Sequence, residues 1–265
     1  MYEKWKGVHT RCAFNMIQEL IPLTRPRTLA AALGPTILGA AFSYYAFGAA
    51  QGTGLAIFHT VLIFLAVVTA QIVANLWNEY KDFKSGLDAG QKVGNAGSIT
   101  RGVITPELII TMIKVLMFVP IIIGLYLSAT ITWYYIPVGF LCILISFLYS
   151  GGPKPISRTP FGEISSGIAM GFTIVLITGY AWIRELSLAL LIPAIPSTLL
   201  VGSIMLTNNI RDIRNDESHG RHTLPIVLGR ERALSLMSIS YIFNFIWIIA
   251  WIIVCLLYTS DAADE

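Results

Sequence analysis

Charge is what this sequence has least of: Asp, Glu, Lys and Arg make up only 12% of its 265 residues. A water-soluble domain carries about twice that share, so there is too little polar surface here to cover a soluble globule. Cysteine is scarce too. Cys12, Cys142 and Cys255 stand far apart, with no CxxC and no histidine at ligand spacing. That excludes a disulfide framework and a cysteine-built metal site, and leaves three small apolar fillers. No GxxxxGK[ST] run occurs, which excludes a P-loop, and no Ser-His-Asp or Cys-His arrangement is visible. Residues 1–18 lack the apolar stretch and small-residue cleavage site of a signal peptide, so the first spanning helix is expected to serve as an uncleaved insertion signal.

What is present is apolar. Hydrophobic residues reach 55% and the mean hydropathy is +0.70. The apolar runs recur at close to the roughly 20 residues that cross a bilayer core. The fold class is therefore all-α, a polytopic transmembrane helical bundle. Seven spans are expected, at about 28–48, 55–80, 105–128, 131–150, 161–183, 187–210 and 233–257. Residues 1–24 read as a cytoplasmic N-terminal segment and 25–257 as the transmembrane domain. Residues 258–265 follow the last span with no basic flank and read as a non-native tail on a C-terminally truncated domain.

Orientation follows from the basic residues. Lys4, Lys6, Arg11, Arg25 and Arg27 precede the first span, and Lys81, Lys84, Lys92 and Arg101 lie between the second and third. Lys154 and Arg158 lie between the fourth and fifth, and Arg211, Arg214, Arg221, Arg230 and Arg232 between the sixth and seventh. The alternate connections hold only Arg184. By the positive-inside rule the basic loops and the N-terminus are cytoplasmic, which places the chain in the cell's inner (plasma) membrane. Lys114 falls inside the third span, where it either snorkels or faces a polar cavity. His59, near the far end of the second span, reads as a packed or interfacial histidine.

Two acidic runs stand out against this background. In the first, Asn75, Asn78 and Asp82 are spaced i, i+3, i+7 and share a helix face; Gly86 breaks the helix and Asp88 folds back from the loop. In the second, Asn208, Asp212 and Asp216 are spaced i, i+4, i+8, with Arg211, Arg214 and Arg221 interleaved. Amides and carboxylates at a membrane helix are costly unless they face a cavity with partners. Hard oxygen ligands with open positions suit Mg²⁺, which keeps waters and takes phosphate oxygens. Acids for the metal beside bases for phosphate are what a magnesium-bound diphosphate requires. Helix-end capping, or a surface lattice of ion pairs, is the bland reading of either run alone; both runs lie on the cytoplasmic side.

The residues Asn75-Leu-x-Asn78-Glu79-Tyr80-x-Asp82-Phe83-x2-Gly86-x-Asp88, Arg101-Gly-Val-Ile-Thr105 and Asn208-Asn209-Ile-Arg211-Asp212-Ile resemble the signature motifs of the UbiA superfamily of intramembrane prenyltransferases. The finer likeness is to the 1,4-dihydroxy-2-naphthoate polyprenyltransferases of menaquinone synthesis. Leu23-Thr-Arg25-Pro26-x-Thr28-Leu29 and Ser157-Arg158-Thr-Pro160-x-Gly162-Glu163 support it. The resemblance implies a UbiA-like ring of nine helices, of which seven are visible, a polyprenyl diphosphate donor and an aromatic acceptor, dihydroxynaphthoate. It implies Mg²⁺ held by Asn78, Asp82, Asp88, Asp212 and Asp216, with Arg101, Arg211, Arg221, Lys92 and Lys154 on the diphosphate. Glu79 stands where the family usually has Asp, which keeps the charge but lengthens the arm. Tyr149 is either a π-face shield for a carbocation or an interfacial anchor.

Two other readings remain at this point. One is a superfamily member using another acceptor, such as 4-hydroxybenzoate. The other is an ion-coupled transporter, which would place acids near the bilayer midplane. The acids here sit at helix ends on one side.

Overall fold

A computed structural model describes residues 20–86, 98–100, 102 and 104–261. All regular structure among them is helical. We number the main helices α1 (Ala30–Phe47), α2 (Thr53–Ser85), α3 (Pro106–Thr130), α4 (Tyr135–Ser150), α5 (Gly162–Ile183) and α6 (Leu191–Arg211), followed by two short helices, α7 (Ile213–Ser218) and α8 (Leu224–Leu228), and the long α9 (Arg230–Asp261). Six of these are long and apolar enough to cross a membrane, and α4 is a shorter apolar helix. They correspond one for one with the seven expected spans, and the chain is a multi-pass membrane protein. Large apolar side chains such as Phe118 and Ile122 on α3, or Phe245 and Ile246 on α9, are exposed, as lipid-facing positions must be.

The boundaries differ where polarity and helicity part company. Apolar residues run out near Tyr80, but α2 continues to Ser85, because Glu, Lys, Asp and Phe do not break a helix and Gly86, at φ 74°, does. At the other end of the chain α9 continues to Asp261. The remainder of the expected tail, 262–265, and residues 1–19 of the N-terminal segment lie outside the described residues.

The chain divides into two compact units, Met1–Ala30 with Phe64–Pro153, and Ala31–Ile63 with Lys154–Glu265. The first is built on Leu23, Val73, Leu76, Ile99, Ile104, Ile109 and Ile113. Ile99 and Ile104 come from the connection between α2 and α3, so the turn there is anchored by its own apolar side chains. Gly102 (φ 70°) lets that turn reverse, with its N–H donating to the Ile99 carbonyl. Thr105 then caps α3 by accepting from the Leu108 N–H at 3.3 Å, with Pro106 at the first helical position. Trp77 locks α2 to α4: it meets Phe147 edge-on, 5.3 Å between centroids, and its Nε1 donates to the Phe147 carbonyl at 3.0 Å. Lys114 is exposed on α3, which agrees with snorkelling.

The second unit packs backbone against backbone. A methyl group added at Gly167 would lie 2.6 Å from the Thr198 carbonyl oxygen, and one at Gly171 would lie 2.6 Å from the Ser197 carbonyl oxygen and Thr198 Cα. Only glycine permits α5 and α6 to approach this closely. The closest stretch of α5, Gly167–Phe172, is π-helical, and the Thr173 hydroxyl bonds back to the Ile168 carbonyl at 2.9 Å. On α6, Pro196 donates no bond to the Ile192 carbonyl one turn earlier; Trp247 of α9 supplies it instead, its Nε1 at 2.9 Å. In a bilayer such substitutions are obligatory, since no water reaches a freed carbonyl. His59 is 1% exposed and faces Gln51, which also donates to the Ala181 carbonyl and accepts from Arg184. It is therefore a packed histidine, and Arg184 is held beside it.

Candidate active site

Each acidic run occupies the end of a long helix, and each unit carries one. In the first unit the apolar face of α2 ends at Leu76, fully buried, and the polar residues that follow divide into two kinds. Asn75, 8% exposed, donates to the Thr24 carbonyl at 2.9 Å. It ties the chain before α1 to α2 and is a structural residue, although its spacing puts it on the face of Asn78 and Asp82. Asn78 differs: its Oδ1 accepts from the Ser150 hydroxyl at 3.0 Å, and the side chain is half-buried. A carbonyl oxygen has a second lone pair, so Asn78 held this way keeps an acceptor site for a cation. Asp82, one turn further, is half-buried too. Asp88, Lys92 and Arg101 lie outside the described residues.

Glu79 resolves the arm-length question. Its carboxylate is 3% exposed and Oε1 accepts from the Ser98 N–H at 2.9 Å. The extra methylene reaches across to the backbone that returns toward α3 and fastens it to α2. Removing the carboxylate strands a buried N–H, at a cost of about 1–3 kcal/mol. Glu79→Ala is therefore expected to lower the thermal midpoint of the detergent-solubilised protein by several degrees. Glu79→Gln, whose amide oxygen still accepts, should stay near wild type. Equal midpoints for Glu79→Ala and wild type would remove the anchor.

In the second unit α6 ends at Arg211, and Asp212 takes a bridge conformation (φ −98°, ψ 9°) before α7 begins. The break does not separate the acids: the Asp216 N–H still donates to the Asp212 carbonyl at 2.9 Å. Asp212, with 43% of its side chain exposed, is gripped by both Nε and an Nη of Arg211 at 2.9 and 2.8 Å. Asp216, with 5% exposed, pairs with Arg221 at 3.3 Å. Burial pushes the Asp216 carboxyl above the usual carboxylate range, Arg221 opposes that, Asp212 adds to it, and His219 opposes it. Gly220 (φ 67°) turns the chain so that Arg221 comes back over α7, its N–H on the Asp216 carbonyl. The next residue, His222, donates its N–H to the Arg158 carbonyl at 2.9 Å. Lys154 is exposed just before that segment.

The donors of each run fit magnesium by type: Asn78 and Asp82 in the first, and Asp212 and Asp216 in the second, offer hard oxygens, and a buried carboxylate raised by desolvation, as at Asp216, is one that gains from a cation. Among the described residues, no group of three or more His, Cys, Asp or Glu forms a ready cage. A magnesium ion that keeps waters and takes phosphate oxygens does not need one. Two residues escaped the spacing rules. Ser150 follows an apolar helix and looks like a cap. Glu163, 4% exposed, accepts from Asn209 Nδ2 at 2.8 Å; the sequence marked it only as the end of the Ser157–Glu163 stretch, with no role attached.

Residues 32–262 match the UbiA prenyltransferase family. The 1,4-dihydroxy-2-naphthoate octaprenyltransferase of Bacillus subtilis is 38% identical over 90% of this chain and 75% of its own length. That of Mycobacterium tuberculosis is 30% identical over 87% of this chain and 78% of its own. Among solved structures, a UbiA homolog from Archaeoglobus fulgidus bound to GPP and Mg²⁺ superposes with a TM-score of 0.62 at 18% identity, covering 86% of this chain and 76% of that one. The apo structure of a UbiA homolog from Aeropyrum pernix gives 0.63 at 20%, over 85% and 78%. With its apolar helices, its two helix-end acidic runs and a family match over most of its length, the chain is an enzyme of the UbiA prenyltransferase family.

Proposed function

We propose that this enzyme transfers a polyprenyl chain from polyprenyl diphosphate to 1,4-dihydroxy-2-naphthoate, releasing diphosphate and CO₂ to give demethylmenaquinone in its reduced, quinol form. The observation that carries this reading is the 38% identity to the Bacillus subtilis 1,4-dihydroxy-2-naphthoate octaprenyltransferase across 90% of the chain. The acidic runs are the chemical support. Asn78, Asp82, Asp88, Asp212 and Asp216 would hold the metal, and Arg101, Arg211, Arg221, Lys92 and Lys154 the diphosphate. Bound magnesium neutralises the diphosphate and makes it a better leaving group.

The rest falls to the chain. Arg211 and Arg221 pair with Asp212 and Asp216; with substrate bound, these guanidiniums would be available to phosphate oxygens and these carboxylates to the metal. The allylic C–O bond breaks with its electron pair leaving on diphosphate. The electron-rich ring then forms the new C–C bond, and loss of its carboxylate as CO₂ returns an electron pair to the ring. Water must be kept from the cation, and the apolar spans supply the dry surroundings and a path for the prenyl tail. The basic connections lie on the cytoplasmic side of the cell membrane.

The test is transfer by detergent-purified protein from labelled polyprenyl diphosphate, with and without Mg²⁺, to a panel of aromatic acceptors. Product is expected with dihydroxynaphthoate, with Mg²⁺, and with CO₂ released in equal amount. Transfer only to 4-hydroxybenzoate would overturn the acceptor.

A further inference from the structure

The segment Ser157-Arg158-Thr-Pro160-x-Gly162-Glu163 has no part in the chemistry above, yet it touches the second acidic run twice. The Arg158 carbonyl accepts from the His222 N–H at 2.9 Å, beyond α7. Glu163 accepts from Asn209 Nδ2 at 2.8 Å, in the last turn of α6. One contact thus lies on each side of Asp212 and Asp216.

The Glu163 contact is an expensive one. The carboxylate is 4% exposed, and among the described residues its Oε2 has no hydrogen-bond partner. A buried carboxylate with only neutral donors, Asn209 and its own backbone N–H, gains little over a well-packed apolar pair. Its place in the first turn of α5 helps, because the free N–H groups of a helix start favour negative charge. The surroundings leave it little room to move: a methyl at Gly202 would sit 3.3 Å from the Glu163 carbonyl oxygen, so α5 and α6 are in close approach at this level. Asn209 is therefore held at one azimuth. Successive helical residues turn by about 100°, which puts Asp212 and Asn208 roughly 60° and 100° to the same side of Asn209. Holding Asn209 against α5 directs that other flank away from it. This is the turn that would otherwise fray, because α6 ends at Arg211.

We infer that Glu163 is a positioning residue: through its bond to Asn209 it fixes the rotation of the last turn of α6, and so the presentation of Asp212 to the metal-bound diphosphate. The inference rests on the metal reading of the second acidic run and is independent of which acceptor is used.

The experiment is calorimetric titration of Mg²⁺ and inorganic diphosphate into the full detergent-purified chain, with thermal midpoints in parallel. Asn209→Asp sets two carboxylates against each other and should weaken magnesium-dependent diphosphate binding about tenfold or more, as expected for a lost charge-assisted hydrogen bond. The double variant Glu163→Gln with Asn209→Asp exchanges donor and acceptor across the same contact, and should return to within about threefold of wild type. Glu163→Gln alone keeps an acceptor for Asn209 and should stay in that range. If Asn209→Asp does not fold, Glu163→Met with Asn209→Ala removes the pair without a lone buried charge; it should fold and bind about tenfold more weakly. Wild-type binding by Asn209→Asp or by the apolar pair, or equal loss in Asn209→Asp and the exchanged double variant, would overturn the positioning role. Wild-type protein with no magnesium-dependent diphosphate binding would overturn it together with the metal reading. Intact binding with transfer to a different acceptor would overturn the acceptor alone and leave this result standing.

Discussion

Asp82→Ala and Asp212→Ala are each expected to abolish magnesium-dependent prenyl transfer, by about a thousandfold or more, while the protein still inserts and purifies. A thousandfold corresponds to about 4 kcal/mol of barrier. That is a modest demand on a residue that neutralises a departing diphosphate in surroundings where a charge is worth far more than in water. Fold should survive, because neither side chain is part of a core: Asp82 is half-buried at the end of α2, and Asp212 pairs with its sequence neighbour Arg211, itself 70% exposed. The check is the transfer assay on protein whose thermal midpoint and elution profile match wild type. Rates within a few-fold of wild type in both variants would take these carboxylates out of the mechanism. Asp216 is a less clean target, because Asp216→Ala leaves the Arg221 guanidinium, 14% exposed, beside the missing charge. Loss of activity there would mix catalysis with stability.

The largest effect on stability is expected at Gly171. A Cβ there would lie 2.6 Å from both Ser197 O and Thr198 Cα, and these are backbone atoms that no rotamer change can move. The Gly171 carbonyl also accepts from the Ser197 hydroxyl at 3.1 Å, so separating the helices breaks a buried hydrogen bond as well. Gly171→Val is expected to cost about 3 kcal/mol or more, enough to lower the thermal midpoint in detergent sharply or prevent accumulation. Gly171→Ala should show the same sign. Gly124 on α3 is the control. Among the described residues nothing lies within 4 Å of a Cβ there, and Gly124→Ala should be neutral or slightly stabilising, since alanine is the better helix former. Equal tolerance at the two glycines would mean that α5 and α6 are not in backbone contact.

Composition and apolar run length by themselves determined the class, the number of membrane helices among the described residues and their approximate limits. Those features answer to the bilayer, which demands about 20 apolar residues and full internal hydrogen bonding whatever the neighbours are. The two acidic runs were legible for the same reason: carboxylates at the ends of apolar helices are conspicuous where charge is scarce. What spacing could not separate was role from role. Asn75, Asn78 and Asp82 share a helix face, but Asn75 is spent on the Thr24 carbonyl while Asn78 is steadied by Ser150. Glu79 and Glu163 read alike as acids within the family-like segments; the structure turns one onto the Ser98 backbone and the other onto Asn209. Those assignments depend on donors distant in sequence, Ser98 and Ser150 in one unit and Asn209 in the other. A one-dimensional pattern records which atoms are available, and only the packing of the helices decides which of them meet.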